Sequence, residues 1–273
     1  MTFSIVARGT DGLSFGVAVA SKFLAVGSAV PAAEAGVGAV ATQSYANLAY
    51  RPQGLALLRH GASAASTVAG LTAADPGRET RQLGVVSATG DGATFSGAEC
   101  NAWAGGRTGD GYACQGNILT GPEVVDELER AWLAGDAAAA LSVRLLESLS
   151  AGDAAGGDRR GRQSAALFVV APGGGYGGGS DVLVDLRVDD HPAPVAELKR
   201  LLSLHELYFG KPDPAAALPM TGALADEVQR HLDALGFRDL QTWMGVENYE
   251  ERDVPGAIDP LVLDKLRGAA AGR

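Results

Sequence analysis

Thr2-Phe3-Ser4-Ile5-Val6-Ala7-Arg8, then Thr10-Asp11-Gly12, then Leu13-Ser14-Phe15-Gly16-Val17-Ala18-Val19-Ala20-Ser21 form two alternating runs around a turn. Small and β-branched residues recur with the two-residue period of a strand. Thr10-Asp11-Gly12 carries hairpin-type turn chemistry, so residues 2–8 and 13–21 are expected to pair antiparallel. Arg8, the apolar run 15–20 and Val30-Pro31-Ala32-Ala33 loosely imitate a secretory leader. Alternation within 16–20 and the charge on Lys22 favour strands instead, and a cytoplasmic location is expected.

The strand pattern returns at 36–42, at 82–87 and 93–96 around Ala88-Thr89-Gly90-Asp91-Gly92, and at 112–116, 163–170 and 182–188. Helical spacing takes over at 52–60, with Leu55 and Leu58 on one face and Gly61 as a stop. It returns at 62–74, where Ser63 is placed to cap the N-terminus and Asp75-Pro76-Gly77 to terminate. Further helices are expected at 121–133, 137–149 and 194–208, the last with Val195, Leu198, Leu201 and Leu202 as its stripe. Strands, two helices, strands, two helices and strands define an α+β pattern. Two stacked antiparallel sheets with helices outside would satisfy it.

Gly210-Lys211-Pro212-Asp213-Pro214 reads as a linker, which divides the chain into domains at 1–210 and 211–273. The second is expected to be a small all-α domain with helices at 222–235, 240–247 and 260–267, the first ended by Gly236. There, Trp243 and Met244 are expected in the core, and Glu247, Glu250, Glu251 and Arg252 on a solvated face.

The 273 residues carry a net charge of −10, with 47% hydrophobic and only 6% aromatic residues. That balance argues against nucleic acid or an anionic membrane surface as partner. No apolar run reaches the eighteen or so residues of a spanning helix. Cys100 and Cys114 make no disulfide framework and are expected as buried thiols. His60, His191, His205 and His231 lie at no ligand spacing, so no metal and no cofactor are expected. An Ala/Gly-rich sheet edge would support a homo-oligomer.

Gly156-Gly157-Asp158-Arg159-Arg160-Gly161-Arg162-Gln163-Ser164 is the densest polar motif, and it leads directly into a strand. Glycines permit positive φ and close approach, and guanidinium forks suit anions. Asp158 and Arg159 read either as a structural pair or as part of a site. Arg162, with Gln163 and Ser164, is the better candidate to hold an anionic group of a small-molecule substrate. Ser21, Thr42, Gln43, Asn47 and Tyr50 follow strand ends and are placed either to line a pocket or to make local caps. Trp103 and Tyr112 would form an apolar wall or fill the core.

Several of these runs together resemble the "domain of unknown function 1028" family. They are residues 1–8, 16–22, 36–43, Gln115-Gly116-Asn117-Ile118-Leu119, the 157–164 motif and Arg187-Val188-Asp189-Asp190-His191-Pro192. The likeness covers roughly residues 1–210. It implies a relation to the N-terminal-nucleophile (Ntn) hydrolases and their four-layer αββα sandwich. It also implies that Thr2, once Met1 is removed, is the nucleophile, with its own α-amine as base. Asn117 would donate to an oxyanion, and Lys22 would fill the lysine role of the proteasomal type without matching its motif. The reaction implied is hydrolysis of an amide in a small anionic compound; the alternative is a non-catalytic binding protein with Met1 retained. Trp243-Met244-Gly245-Val246-Glu247-Asn248-Tyr249-Glu250-Glu251-Arg252 and Ile258-Asp259-Pro260 resemble a short peptidoglycan-binding module. Without a leader to carry it outside, an intramolecular or oligomeric contact role is expected of it, rather than binding to peptidoglycan.

Overall fold

The computed structural model describes residues 2–272, which divide into two compact units with the break between Leu202 and Ser203. In the first unit, β1 (Thr2–Arg8) and β2 (Phe15–Ser21) pair antiparallel, Phe3 opposite Ala20 and Arg8 opposite Phe15. There follow α1 (Val26–Ala29), β3 (Pro31–Glu34), β4 (Gly38–Ser44), α2 (Tyr50–Arg59), α3 (Ala64–Ala73), β5 (Arg81–Ser87) and β6 (Gly92–Ser96). Next come β7 (Gly105–Gly109), β8 (Tyr112–Asn117), α4 (Glu123–Ala134), α5 (Leu141–Ala154), β9 (Ser164–Val170), β10 (Val182–Val188) and the start of α6 (Pro194–Phe209), within which the break between the units falls.

The strands build a six-stranded sheet, β10-β9-β2-β1-β8-β7, and a four-stranded sheet, β3-β4-β5-β6, antiparallel throughout. The sheets face each other, with β1 against β4 and β5, and β5 against β8. Helices α4 and α5 cover the outer face of the larger sheet, and α2 and α3 that of the smaller. The unit is thus a mixed α/β structure with its helices in outer pairs. Among the described residues, no helix is long and apolar enough to cross a membrane.

The alternation along β1 sets these layers. Phe3, Ile5 and Ala7 enter a core with Leu128, Leu145 and Leu149 beneath the helices. Val6 points the other way, among Val17, Val19, Ala41 and Val86 between the sheets. Burying each large side chain contributes about 1.5–3 kcal/mol. Toward the Thr2 end the layer between the sheets turns polar, and Ser4, Gln43, Gln82 and Gln115 replace the valines, all fully buried.

Three local features depart from the expected elements. Strand β7, Gly-Gly-Arg-Thr-Gly, has little strand propensity, yet a Cβ on Gly106 would lie 2.7 Å from both the Cys114 carbonyl oxygen and Thr94. Close approach, not propensity, requires glycine there. Strand β3 falls in the stretch that imitates a leader. Helix α5 begins at Leu141 rather than 137, because the Asp136 carboxylate accepts from the Ala138 amide (2.9 Å) in a local turn that competes with the helix. Ser63 does cap α3, its hydroxyl accepting from the Ser66 amide.

The second unit contains α7 (Gly222–Leu235), α8 (Leu240–Glu247) and α9 (Pro260–Ala271), together with a short antiparallel pair, β11 (Leu218–Pro219) and β12 (Ala257–Ile258), which the all-α expectation lacked. Gly236 ends α7 at φ 84°, as a C-cap glycine does. Trp243 and Met244 are buried beside Val228, Leu232 and Val262. Arg252 is a correction: it is buried, not solvated. Its Nε donates to the Leu207 carbonyl (2.8 Å) and its Nη1 to Asp259 Oδ2 (2.9 Å).

Candidate functional site

Four polar residues stand in one row across the larger sheet. Asn117 of β8 is in register with Thr2 of β1, and Ser21 of β2 is in register with Ser164 of β9. Thr2 Oγ1 lies 3.1 Å from Ser21 Oγ, which joins the two pairs. All four side chains are buried. The row exists because β1, β2, β8 and β9 all begin or end at this level.

Behind Thr2, a glutamine network crosses from sheet to sheet. Gln82 Nε2 donates to the Gly116 carbonyl and to Ser96 Oγ, both at 2.7 Å. A carbonyl only accepts, so this end of Gln82 is nitrogen and its Oε1 faces the other way. That Oε1 accepts from Gln43 Nε2 and from Asn117 Nδ2, each at 2.8 Å. Gln43 Nε2 also lies 3.3 Å from the Thr2 carbonyl. Ser4 Oγ donates to Gln43 Oε1 and receives from Gln115 Nε2, both at 2.7 Å. The chain of donors leaves Asn117 Oδ1 buried without a partner. Asn117 Nδ2 gives one of its two N–H groups to Gln82, which leaves the second N–H and the buried Oδ1 for other partners.

Thr2, Gln43 and Asn117 line a cleft of about 490 Å³. Its walls are mainly apolar, including Phe23, Val26, Val30, Tyr45, Leu48 and Ile118. Two lining residues other than glycine hold left-handed backbone, Ser44 at φ 69° and Ile118 at φ 51°. For a β-branched residue that conformation is an outlier, and such strain gathers where structure over-determines a site.

The other expected residues do not line the cleft, and several of them hold the segments that do. Asp158 is buried; its Oδ2 accepts from the Lys22 amide and its Oδ1 from the Arg160 amide, both at 2.8 Å. Ser164 Oγ donates to the Phe23 carbonyl and accepts from the Val26 amide. These two side chains fix the loop after β2. Gln163 contributes its carbonyl to the His191 amide (2.7 Å), and the Arg159 amide donates to the Ile118 carbonyl. Arg162 donates through Nε to Asp153 at 2.8 Å, which holds its pKa above the ordinary value, and it lies away from the cleft. Lys22 Nζ donates to the Arg162 carbonyl, not to Thr2. The arginine at the cleft is Arg160, which lies beside Asp158 (3.3 Å). The sequence reading chose Arg162 to hold an anionic group; in the structure Arg162 is paired with Asp153, and Arg160, which that reading passed over, lines the cleft.

A second carboxylate plays the same part for the loop after β4. Asp75 Oδ2 accepts from Asn47 Nδ2 (3.0 Å), Arg81 Nε (3.0 Å) and the Tyr50 hydroxyl (2.9 Å). Asn47 and Arg81 together hold the Asp75 carboxyl well below the usual carboxylate range. Burial, then Asp75, drives the Tyr50 phenol above its own. Asn47 and Tyr50 therefore brace the loop that follows β4, and Thr42 Oγ1 adds a bond to the Asn47 carbonyl. Cys100 and Cys114 are unbridged, the latter deep in the core.

A mixed α/β unit with a polar row at one sheet end and a cleft over it defines the class. The model described as "Family of unknown function (DUF1028)" matches residues 2–198, and the chain belongs to that family. A second model, described as "Putative peptidoglycan binding domain", matches residues 208–266. The crystal structure of a DUF1028 protein from Silicibacter pomeroyi is similar at 29% identity and a TM-score of 0.67, over 83% of this chain and 92% of that one. Anbu (ancestral beta-subunit) from Yersinia bercovieri aligns at 13% identity and a TM-score of 0.32, over 74% of this chain and 93% of that one, too loosely to carry an argument. No curated protein matches the chain.

Proposed function

We propose that the first unit is an amide hydrolase of the N-terminal-nucleophile type, with Thr2 as nucleophile. One observation carries this reading: the Thr2 hydroxyl is buried at the head of a central strand, in the floor of a cleft, 3.1 Å from Ser21 Oγ. Facing sheets with outer helix pairs support the αββα sandwich of that class, and fold alone assigns no reaction.

In this reading Met1, which lies outside the described residues, is removed. The exposed Thr2 α-amine, with an ordinary pKa of about 7.7–8.0, takes the proton of Oγ1 at neutral pH. Oγ1 adds to the amide carbon. The ammonium returns its proton to the leaving nitrogen, the C–N bond breaks, and an ester remains on Thr2. A water that gives its proton to the amine then adds to the ester carbon, the C–Oγ1 bond breaks, the ammonium returns the proton to Oγ1, and the acid is released. Asn117 Oδ1, in register with Thr2 and lacking a donor, is suited to receive an N–H of the amine.

The test joins the intact mass of untagged protein to turnover of an amide set. The mass is expected to lack one methionine, and Thr2→Ala is expected to lower turnover at least about a thousandfold, while Thr2→Ser retains part of it. A fully active Thr2→Ala protein overturns the assignment.

The match at residues 208–266 favours a second reading, attachment to the cell wall. It predicts that purified peptidoglycan sediments the full chain and no longer does so once residues 212–273 are deleted.

A further inference from the structure

We infer that the cleft takes an uncharged amide that carries an aromatic or aliphatic group, held between Phe23, Tyr45 and Leu48. This rests on the hydrolase reading for the word amide, and on three independent observations for the rest.

The first is exposure. Phe23, Tyr45 and Leu48 line the cleft and are 53%, 62% and 48% exposed. Large apolar side chains gathered around a concavity mark a binding surface, whereas single ones need no explanation.

The second is that all three are displayed on braced backbone. The Phe23 carbonyl is held by Ser164 Oγ, with the Lys22 amide on Asp158 and the Ala25 amide on the Asp189 carbonyl (3.0 Å). The Tyr45 carbonyl is held by Arg81 Nη1, itself paired with Asp75, and Leu48 follows Asn47 on the same carboxylate. Two buried carboxylates in separate parts of the chain thus spend their bonds on presenting apolar side chains to one opening. Preorganised walls of this kind lower the ordering cost of binding.

The third is charge. The floor side chains of Thr2, Gln43 and Asn117 are polar and neutral. The one charged lining residue among those described is Arg160, and Asp158 stands beside it. Arg162, expected to receive an anion, is paired with Asp153. The volume suits a small molecule of a few tens of heavy atoms at most.

The experiment measures binding, not turnover, on the full-length Thr2→Ala protein by ligand-observed NMR titration. Three probes form a matched set: N-benzylacetamide, acetamide without the ring, and N-acetylphenylglycine, which adds a carboxylate. N-benzylacetamide is expected to bind about tenfold more tightly than either of the others. Phe23→Ser and Tyr45→Ser, exposed positions where folding is not at stake, are each expected to weaken it about fivefold. Tightest binding of the carboxylate probe, an unchanged affinity in both serine variants, or no binding of N-benzylacetamide overturns the inference. The expected binding in a chain that hydrolyses no amide would leave this inference standing and remove the hydrolase reading. Turnover without apolar preference would do the reverse.

Discussion

Asn117 and Gln82 come from different sheets, yet the 2.8 Å bond from Asn117 Nδ2 to Gln82 Oε1 decides how the amide beside Thr2 is turned. Gln82 is itself oriented by the carbonyl of Gly116, so the orientation is anchored in backbone. The polar floor of the cleft is therefore set from behind, by a residue that does not line it.

Gln82→Leu removes the acceptor of Gln43 and Asn117 and the donor to Gly116 at once. Buried groups left without partners cost about 1–3 kcal/mol each, and some relaxation is available. The variant is expected to lose about 2–4 kcal/mol in urea unfolding. An unchanged midpoint would show that the network is no clamp.

Gly84 carries the second prediction. A Cβ there would lie 1.9 Å from Gln115 Oε1, an atom with no hydrogen-bond partner. Gly84→Ala is expected to destabilise by about 1–3 kcal/mol, as overpacking does. Adding Gln115→Ala opens the space, so the double variant should lose less than the sum of the two single losses. Strict additivity would mean that the two residues do not meet.

Asp75 gives a pH dependence with a definite sign. Its pKa is depressed in the folded chain, so its bonds stabilise above the unfolded value of about 3.9 and are lost as pH falls through the lower folded value. Asp75→Asn is expected to cost about 2–3 kcal/mol at pH 7 and to flatten the acid limb of the stability curve below about pH 4. Parallel acid limbs in parent and variant would exclude this role. Because Asp75 also braces Asn47 and Arg81, the variant should show faster amide exchange across residues 45–50.

Most elements were legible because their periods are clean. In β1 a period of two separates Phe3, Ile5 and Ala7 from Val6, and in α3 the Ser63 cap marks the start. Strand β7 was not legible, since its glycines answer to neighbours distant in sequence. At the site, Ser21 and Gln43 stood out as polar residues at strand ends, Thr2 and Asn117 came from the family resemblance, and the structure brings the four together. Gln82 did not stand out, because a glutamine at the start of an apolar strand gives no sign of facing a second sheet. Asp75 was read only as part of a helix stop, and the choice among Arg159, Arg160 and Arg162 depended on Asp153, which lies in a preceding helix. Local pattern predicts which face a side chain takes, while its partner across layers is a tertiary fact.

Arg252 and Asp259, buried at 5% and 4% exposure, are the corresponding pair in the second unit. Asp259 does two jobs: its Oδ2 receives Arg252 Nη1, and its Oδ1 caps α9 by accepting from the Leu261 amide at 2.7 Å. Asp259→Leu leaves a guanidinium charge buried without its counter-ion, at about 3–5 kcal/mol, and removes a cap worth about 1 kcal/mol. Arg252 retains the Leu207 carbonyl, which softens the loss only in part. Amide exchange in α7 and α9 should rise sharply in the single variant. Joining Arg252→Met to Asp259→Leu removes the stranded charge, so the double variant is expected to recover most of the protection. A double variant as open as the single one would place the stabilisation in the cap and not in the ion pair.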